Sequence, residues 1–477
     1  MTFLSKFKTG LSLLSGGHDP MGQRLIGTTF AGEPLWAPKG HSLLLAANGS
    51  GKTTCGLMPS LFSLVASADR PAILVMDGKN GEIAAQCVPM LVDYGVPVAV
   101  IDDMGVRPEL PARIAVNPLG ALLDAGDDTS IFATEKITHA LIPDPPDGDA
   151  KNQFWRDGPR GMIDYAATSL RYRVPNQLTP GALWAMLSNP VALQQVAELD
   201  AEHSFGRLKS LAQNIVALKG TEYFPQHRDA AMKALNIFAL GSQLHDAGAG
   251  AMVNHSDLIA ARAVIFVIGP QEYMARMGAY FALHLMGVLD ALYRAAGPLA
   301  ILNDEFTNTP LKSFVEALTT IRGFGGEAHN IAQSRSEMLR KFGERECQTI
   351  EDNAIVKQWF GFSSFEEAER VSKAMGQVVA IESNLGVNLG EEEHLNLSNS
   401  FGRQAQMSAA ELMAMPADEQ LIHVKGVGFL RARKLAQNQI APFCHALAPN
   451  PLEGGVLPPK PVLKLNMKPS PRKGVQQ

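Results

Sequence analysis

The run at 43–54, Leu-Leu-Leu-Ala-Ala-Asn-Gly-Ser-Gly-Lys-Thr-Thr, constrains this chain more than any other part of it. An apolar strand passes into a turn carrying Gly49 and Gly51, and a lysine, two hydroxyl residues and a helix-compatible run follow. A turn of this kind points successive backbone N–H groups inward, and the helix after it presents the positive end of its dipole. Both features suit a chain of phosphates. The cradle is expected over Asn48, Gly49, Ser50, Gly51, Lys52, Thr53 and Thr54, with Lys52 on the β- and γ-phosphates and the Thr53 hydroxyl on Mg²⁺. Ala46 stands where the usual pattern opens with glycine. Alanine is the smallest replacement, so the A-x-x-x-x-G-K-T form reads as a tolerated variant. The competing reading is an ordinary strand–turn–helix with chance glycines, and it leaves the lysine and hydroxyls unexplained.

A phosphate cradle needs a carboxylate site elsewhere in the chain. The apolar run 298–302 ends in Asn303-Asp304-Glu305-Phe306, which delivers two acids to the carboxyl end of a strand, where α/β sheets bind ligands. Asp304 is the expected Mg²⁺ partner through water, and Glu305 the expected base for the attacking water. Adjacent carboxylates repel each other, and a bound cation relieves that repulsion. Taken alone, the pair would read equally well as a solvated strand end.

At 477 residues the chain can bury a large core and divide into about two or three domains. A net charge of −5 advertises no global nucleic-acid footprint, so any such contact must be local. Cys55, Cys87, Cys347 and Cys444 are scattered without metal-like spacing and read as reduced thiols. Lys6 and Lys8 interrupt the apolar residues of the first 17 positions, which lack both the ~20-residue length of a span and a leader's cleavage site. No transmembrane helix is expected, and the apolar stretch at 280–293 reads as a buried helix.

The first block alternates strands at 43–47, 72–77 and 96–102 with helices, one of them near 81–94. The strands are near-continuous apolar runs, as strands covered on both faces should be. Helical periodicity then takes over, and strands return at 263–268, 299–303, 328–333 and 356–362. Parallel strands on either side of a helical stretch predict one discontinuous α/β sheet. The expected division is an N-terminal segment at 1–39, a nucleotide-binding domain at 40–119 and 251–434, an all-α insertion at 120–250, and a flexible Pro/Lys-rich tail at 435–477. The late part of the nucleotide-binding domain should carry a short helix at 407–415 and a hairpin at 420–424 and 428–434.

Further residues fall at telling positions. Arg322 lies in a glycine-rich turn after a helix, Gln333 ends the next strand, Asp77…Lys79…Glu82 follows the second strand, and Phe154-Trp155 opens the helical insertion. With Gly49-Ser50-Gly51-Lys52-Thr53, Asn117-Pro118-Leu119, Asp304-Glu305-Phe306, Gln333-Ser334, and Met407-Ser408…Glu411-Leu412 before Leu421-Ile422, the chain resembles a known family. It is similar, from about 40 to 434, to the TraG/TraD-type coupling-protein ATPases of type IV secretion and conjugation. The resemblance implies a RecA-like P-loop NTPase sheet interrupted by an all-α domain, assembled as a homo-hexamer that binds ATP and Mg²⁺ between subunits. Arg322 would then reach into a neighbour's site, and Gln333 would contact the γ-phosphate. The implied task is to pump conjugative single-stranded DNA, with its attached relaxase, into the secretion channel from the cytoplasmic face of the inner membrane.

Two departures stand out. Family members usually begin with membrane helices, and the loop after the second strand has Gly78 for proline and an extra Asn80. The alternative is a nucleotide-switched recruitment platform for relaxase or effector proteins that does not pump DNA. A small-molecule P-loop kinase is disfavoured, because the acid pair suits water activation and no lid-like arginine cluster is evident.

Overall fold

The computed structural model describes residues 23–146, 148–294, 296–388, 394–453, 455 and 457–467. The lysine-interrupted start and the far end of the tail, beyond 467, lie outside the described residues.

Strands β1 (Arg24–Thr28), β2 (Pro34–Ala37), β3 (Ser42–Leu45), β4 (Ala72–Asp77) and β5 (Val98–Ile101) precede the helical stretch. After it come β6 (Val264–Ile268), β7 (Leu299–Asn303), β8 (Gly326–Ala332), β9 (Val356–Trp359), β10 (Gln377–Asn388), β11 (His394–Ala405), β12 (Glu419–Val424) and β13 (Gly428–Arg433). One 11-stranded sheet has the order β2-β1-β13-β12-β9-β3-β8-β7-β4-β6-β5. From β9 to β5 every neighbouring pair is parallel, while β12, β13, β1 and β2 extend the sheet antiparallel.

The period-two alternation of strand side chains builds both faces of this sheet. Leu43, Leu45, Leu74 and Met76 enter the core shared with the helical stretch. Leu44, Ile73 and Val75 enter the opposite core, against the helices Met58–Ala66 and Glu82–Asp93. Burial on both faces is why these strands read as unbroken apolar runs. The helical stretch, with Gln153–Arg173 as its longest member, leaves after β5 and returns at β6. Those two strands are adjacent and parallel, with Val98 opposite Val264, so the insertion hangs from one sheet edge. At its neck Asn117 donates to the Leu178 carbonyl at 2.7 Å and accepts from the Leu119 N–H at 2.9 Å.

Two expectations need correction, and one element had no counterpart among them. The segment before residue 40 was to lie outside the sheet, yet β1 and β2 form its edge. Their alternation is masked because every residue of β1 is buried. After 377 the chain forms the long β10–β11 ladder, which no apolar pattern signalled. The tail from 435 packs as far as 467. Phe443 stacks on Phe62 with centroids 4.5 Å apart, Leu465 is buried, and Asn450 donates to Glu82 at 2.9 Å. Its average composition is that of a disordered segment, but a few spaced apolar residues (Ile440, Phe443, Leu465) suffice to pin it.

Phe154 and Trp155, which open the helical insertion, are half-exposed. Among the described residues, no helix is long and apolar enough to cross a membrane.

Candidate functional site

The phosphate loop leaves β3 at the carboxyl end of the parallel strands. Gly49 and Gly51 have φ of 75° and 86°, in the left-handed region that glycine enters without strain. Ala46 continues the strand, its N–H donating to the Ala332 carbonyl at 3.0 Å, so a Cβ is accommodated where the usual pattern has glycine. A wide π-type turn, Lys52–Leu57, leads into the helix Met58–Ala66. Lys52 and Thr53 are buried at its start, and the Ser50 hydroxyl closes the loop on the Ala47 carbonyl at 2.6 Å.

The strand order puts β7 two places from β3, and the acids at its end reach the loop. Lys52 Nζ lies 2.5 Å from Glu305 Oε1 and 3.4 Å from Asn48 Oδ1. Lys79, two residues past β4, places its ammonium 3.2 Å from Asp304 Oδ2 and 3.1 Å from Glu305 Oε1. Glu305 has φ of 52°, a left-handed conformation that costs a non-glycine residue about 1–3 kcal/mol and persists where surroundings enforce it. Burial alone would raise the Glu305 pKa, but Lys79 and Lys52 outweigh it and hold the carboxylate below its usual range. Burial works against the Lys79 ammonium too, and Asp304 and Glu305 reverse that and raise its pKa.

The residues fit a divalent cation. Asp304 Oδ1 is buried without a hydrogen-bond partner, and the neighbouring carboxylates already attract an ammonium between them. Among the described residues no three His, Cys, Asp or Glu side chains converge as a metal cluster. A phosphate-bound magnesium needs only one or two protein oxygens, since phosphates and water supply the rest.

Gln333 follows β8 directly and lines, with Leu45, Ala47 and Trp359, a cavity of about 310 Å³ at the same end of the sheet. Arg322 is elsewhere. It is exposed beside Gly40, before the first residue of β8, at the opposite end of the strands. A strand of that length spans on the order of 20 Å, so Arg322 cannot reach the phosphate loop of its own chain. The structure therefore brings together Asn48, Lys52, Asp304 and Glu305, sets Gln333 on the same rim, and leaves Arg322 apart.

The loop after β4 carries Asp77…Lys79…Glu82, and its strand does not neighbour β3. β4 instead pairs with β7 and β6, so Lys79 meets the acids rather than the loop itself. The lysine was visible in the sequence, but its partner was not, because the strand order sets it. Lys434, at the end of β13, was also missed: its ammonium donates to the Ser50 carbonyl at 3.0 Å and lies 4.6 Å from the Phe360 ring centroid.

Asp77, at the end of β4, is fully buried. Burial pushes its pKa up to about 7, partly offset by the Ala84 N–H that donates to it at 2.8 Å. The folded state thus holds a proton that the unfolded chain, with an ordinary carboxylate, releases at lower pH. Stability falls as pH rises from about 4 to about 7 through this residue. In Asp77→Asn the decline in melting temperature over that window is expected to be shallower than in the parent. Parallel pH–melting curves would show that Asp77 is not the source.

A parallel-centred α/β sheet with this loop and these acids is the P-loop nucleotide-binding fold. Residues 298–417 match a family model described as the TraM recognition site of TraD and TraG. The fold is similar to that of the bacterial conjugative coupling protein TrwBΔN70, at 14% identity and a TM-score of 0.62 over 90% of this chain and 91% of that one. It is also similar to TrwB in complex with ADP and Mg²⁺, at 14% identity and a TM-score of 0.61 over 88% of this chain and 96% of that one. VirB4 of Thermoanaerobacter pseudethanolicus shares the fold at 14% identity and a TM-score of 0.52, over 90% of this chain and 99% of that one. No curated protein matches the sequence. The resemblance to TraG/TraD-type coupling proteins read from the motifs thus holds in the sequence of 298–417 and in the fold.

Proposed function

We propose that this chain is an ATP-hydrolysing coupling protein that moves conjugative single-stranded DNA, with its relaxase, toward a type IV secretion channel. The observation that carries the hydrolytic reading is the contact of Lys52 with Glu305 across three strands of the sheet. The conjugative reading rests on the match of 298–417 to the recognition segment of TraD and TraG and on the fold shared with TrwB.

The phosphates lie on the N–H groups of 49–54, with Lys52 on the β- and γ-oxygens. A triphosphate competing for Lys52 takes its ammonium from Glu305, and the carboxylate, still beside Lys79, then orients water for in-line attack and accepts its proton. Thr53 and Asp304 are the residues that would hold Mg²⁺, which when bound neutralises charge on the phosphates. Lys79 keeps the acid pair compatible with a buried site while the phosphates enter. Gln333 contacts the γ-phosphate from the end of β8. Arg322, out of reach in its own chain, completes the site of the next subunit in a ring of six. Hydrolysis shifts that interface and moves the strand, gripped through its phosphates without sequence choice.

Glu305→Gln separates binding from chemistry. The variant is expected to bind ATP as tightly as the parent, while turnover falls about 10²–10⁴-fold, the usual worth of a positioned base. Phosphate release at saturating ATP and Mg²⁺ measures it. Parent-like turnover would remove Glu305 from the mechanism.

A further inference from the structure

Lys79 stands among four acids: Asp77 and Glu82 on either side of it in the chain, and Asp304 and Glu305 just past β7. Asp304 and Glu305 take its ammonium, at 3.2 and 3.1 Å. The other two acids each have a donor of their own. Asp77 accepts the Ala84 N–H at 2.8 Å. Glu82, buried at the start of the helix Glu82–Asp93, accepts at 2.9 Å from Asn450 of the folded-back tail. We infer that Asn450 is a positioning residue of the nucleotide site: by holding Glu82 it reserves Lys79 for Asp304 and Glu305, so that docking of the tail raises nucleotide affinity. This role rests on the phosphate-site reading above.

The Asn450 amide has one orientation that satisfies its neighbours. Its oxygen accepts the N–H groups of Leu452 and Glu453, at 2.8 and 3.3 Å, which leaves the nitrogen to donate to Glu82. Both residues are buried, so Glu82 without Asn450 would be a buried carboxylate lacking its donor, a costly state that draws in a nearby cation. Lys79 is within reach. The Glu82 N–H donates to the Lys79 carbonyl at 3.0 Å, which puts the two residues in one turn. Burial raises the Glu82 pKa, and the Asn450 amide and the Lys79 charge oppose that rise. Asp304 and exposed Glu453 also act on Glu82, but as acids they can only repel it.

The tail does not depend on this bond for its place. Phe443 stacks on Phe62, Gln437 donates to Gln86 at 3.0 Å, and the Ala448 N–H donates to the Gln86 carbonyl at 3.1 Å. Removing the Asn450 amide therefore frees Glu82 without undocking the tail. Lys79 is then shared among three carboxylates, and the less-screened acid pair repels an arriving phosphate chain more strongly. By linkage, nucleotide in the loop strengthens the hold of the tail in turn.

The test is ATP binding to the full chain by calorimetry in EDTA, since Mg²⁺ would screen the same acids. Asn450→Ala is expected to weaken ATP about tenfold, inside the roughly 5–150-fold typical of coupled sites. Adding Glu82→Gln to Asn450→Ala should restore parent affinity, because a neutral amide does not compete for Lys79. Lys79→Met should show the loss already, and Asn450→Ala should add nothing to it. A tail that was merely loosened would lower affinity in every background. Unchanged affinity in Asn450→Ala or in Lys79→Met, a loss that Glu82→Gln does not reverse, or losses that add would overturn the role of Asn450. Lys52→Ala serves as the separate control. If it binds ATP as the parent does, the phosphate-site reading fails instead.

Discussion

Lys52→Ala is expected to abolish ATP hydrolysis in a chain that still folds. Lys52 is buried and aimed at Glu305, where a triphosphate's terminal oxygens would lie. Lys79 is engaged by both acids, and Lys434 is held by three backbone carbonyls. Loss of one preorganised charge donor costs about 10²–10³ in rate, and loss of phosphate affinity adds to it. The fold should survive, because Glu305 keeps Lys79 at 3.1 Å and is not left as an unpaired buried charge. Phosphate release measures the first effect, and thermal melting followed by circular dichroism the second. Parent-like hydrolysis in a folded variant would refute the site.

Arg322→Ala carries the second large effect, and it tests the assembly. The side chain is exposed at the far rim of the sheet, so the catalytic contribution proposed for it would arrive in a neighbour's site. An arginine supplied in trans to a transferring phosphoryl group is worth about 10³–10⁵ in rate. Arg322→Ala and Lys52→Ala should each be inactive alone. Mixed in one assembly they should regain hydrolysis, because interfaces form that join an intact loop from one chain to an intact arginine from the other. Absence of any recovery in mixed assemblies, or full activity of Arg322→Ala alone, would return the residue to a surface role.

How much of this was legible follows from how locally each feature is encoded. The phosphate loop is a contiguous string whose glycines and lysine serve one purpose, and the structure places it where the string implies. The central strands were equally plain, since burial on both faces leaves continuous apolar runs such as Ala72–Asp77. What stayed hidden depends on strand order. Lys79 gains its meaning only once β4 is known to lie beside β7. Lys434 matters only once β13 is known to end over the phosphate loop. β1 and β2 were missed because they are short, and β1 is buried throughout. The tail was misjudged because composition averages over a segment, whereas docking needs only Phe443 against Phe62 and a few hydrogen bonds to Glu82 and Gln86.

The central claim is that two distant segments meet at one sheet end to hydrolyse nucleotide, and that single-stranded DNA engages this cycle. The most direct measurement is Mg²⁺-dependent phosphate release by the purified chain, across concentrations that permit assembly, with and without single-stranded DNA. Hydrolysis that rises when DNA is added is the predicted result. No hydrolysis at any concentration, with tight binding of relaxase alone, would contradict the motor and support a recruitment platform.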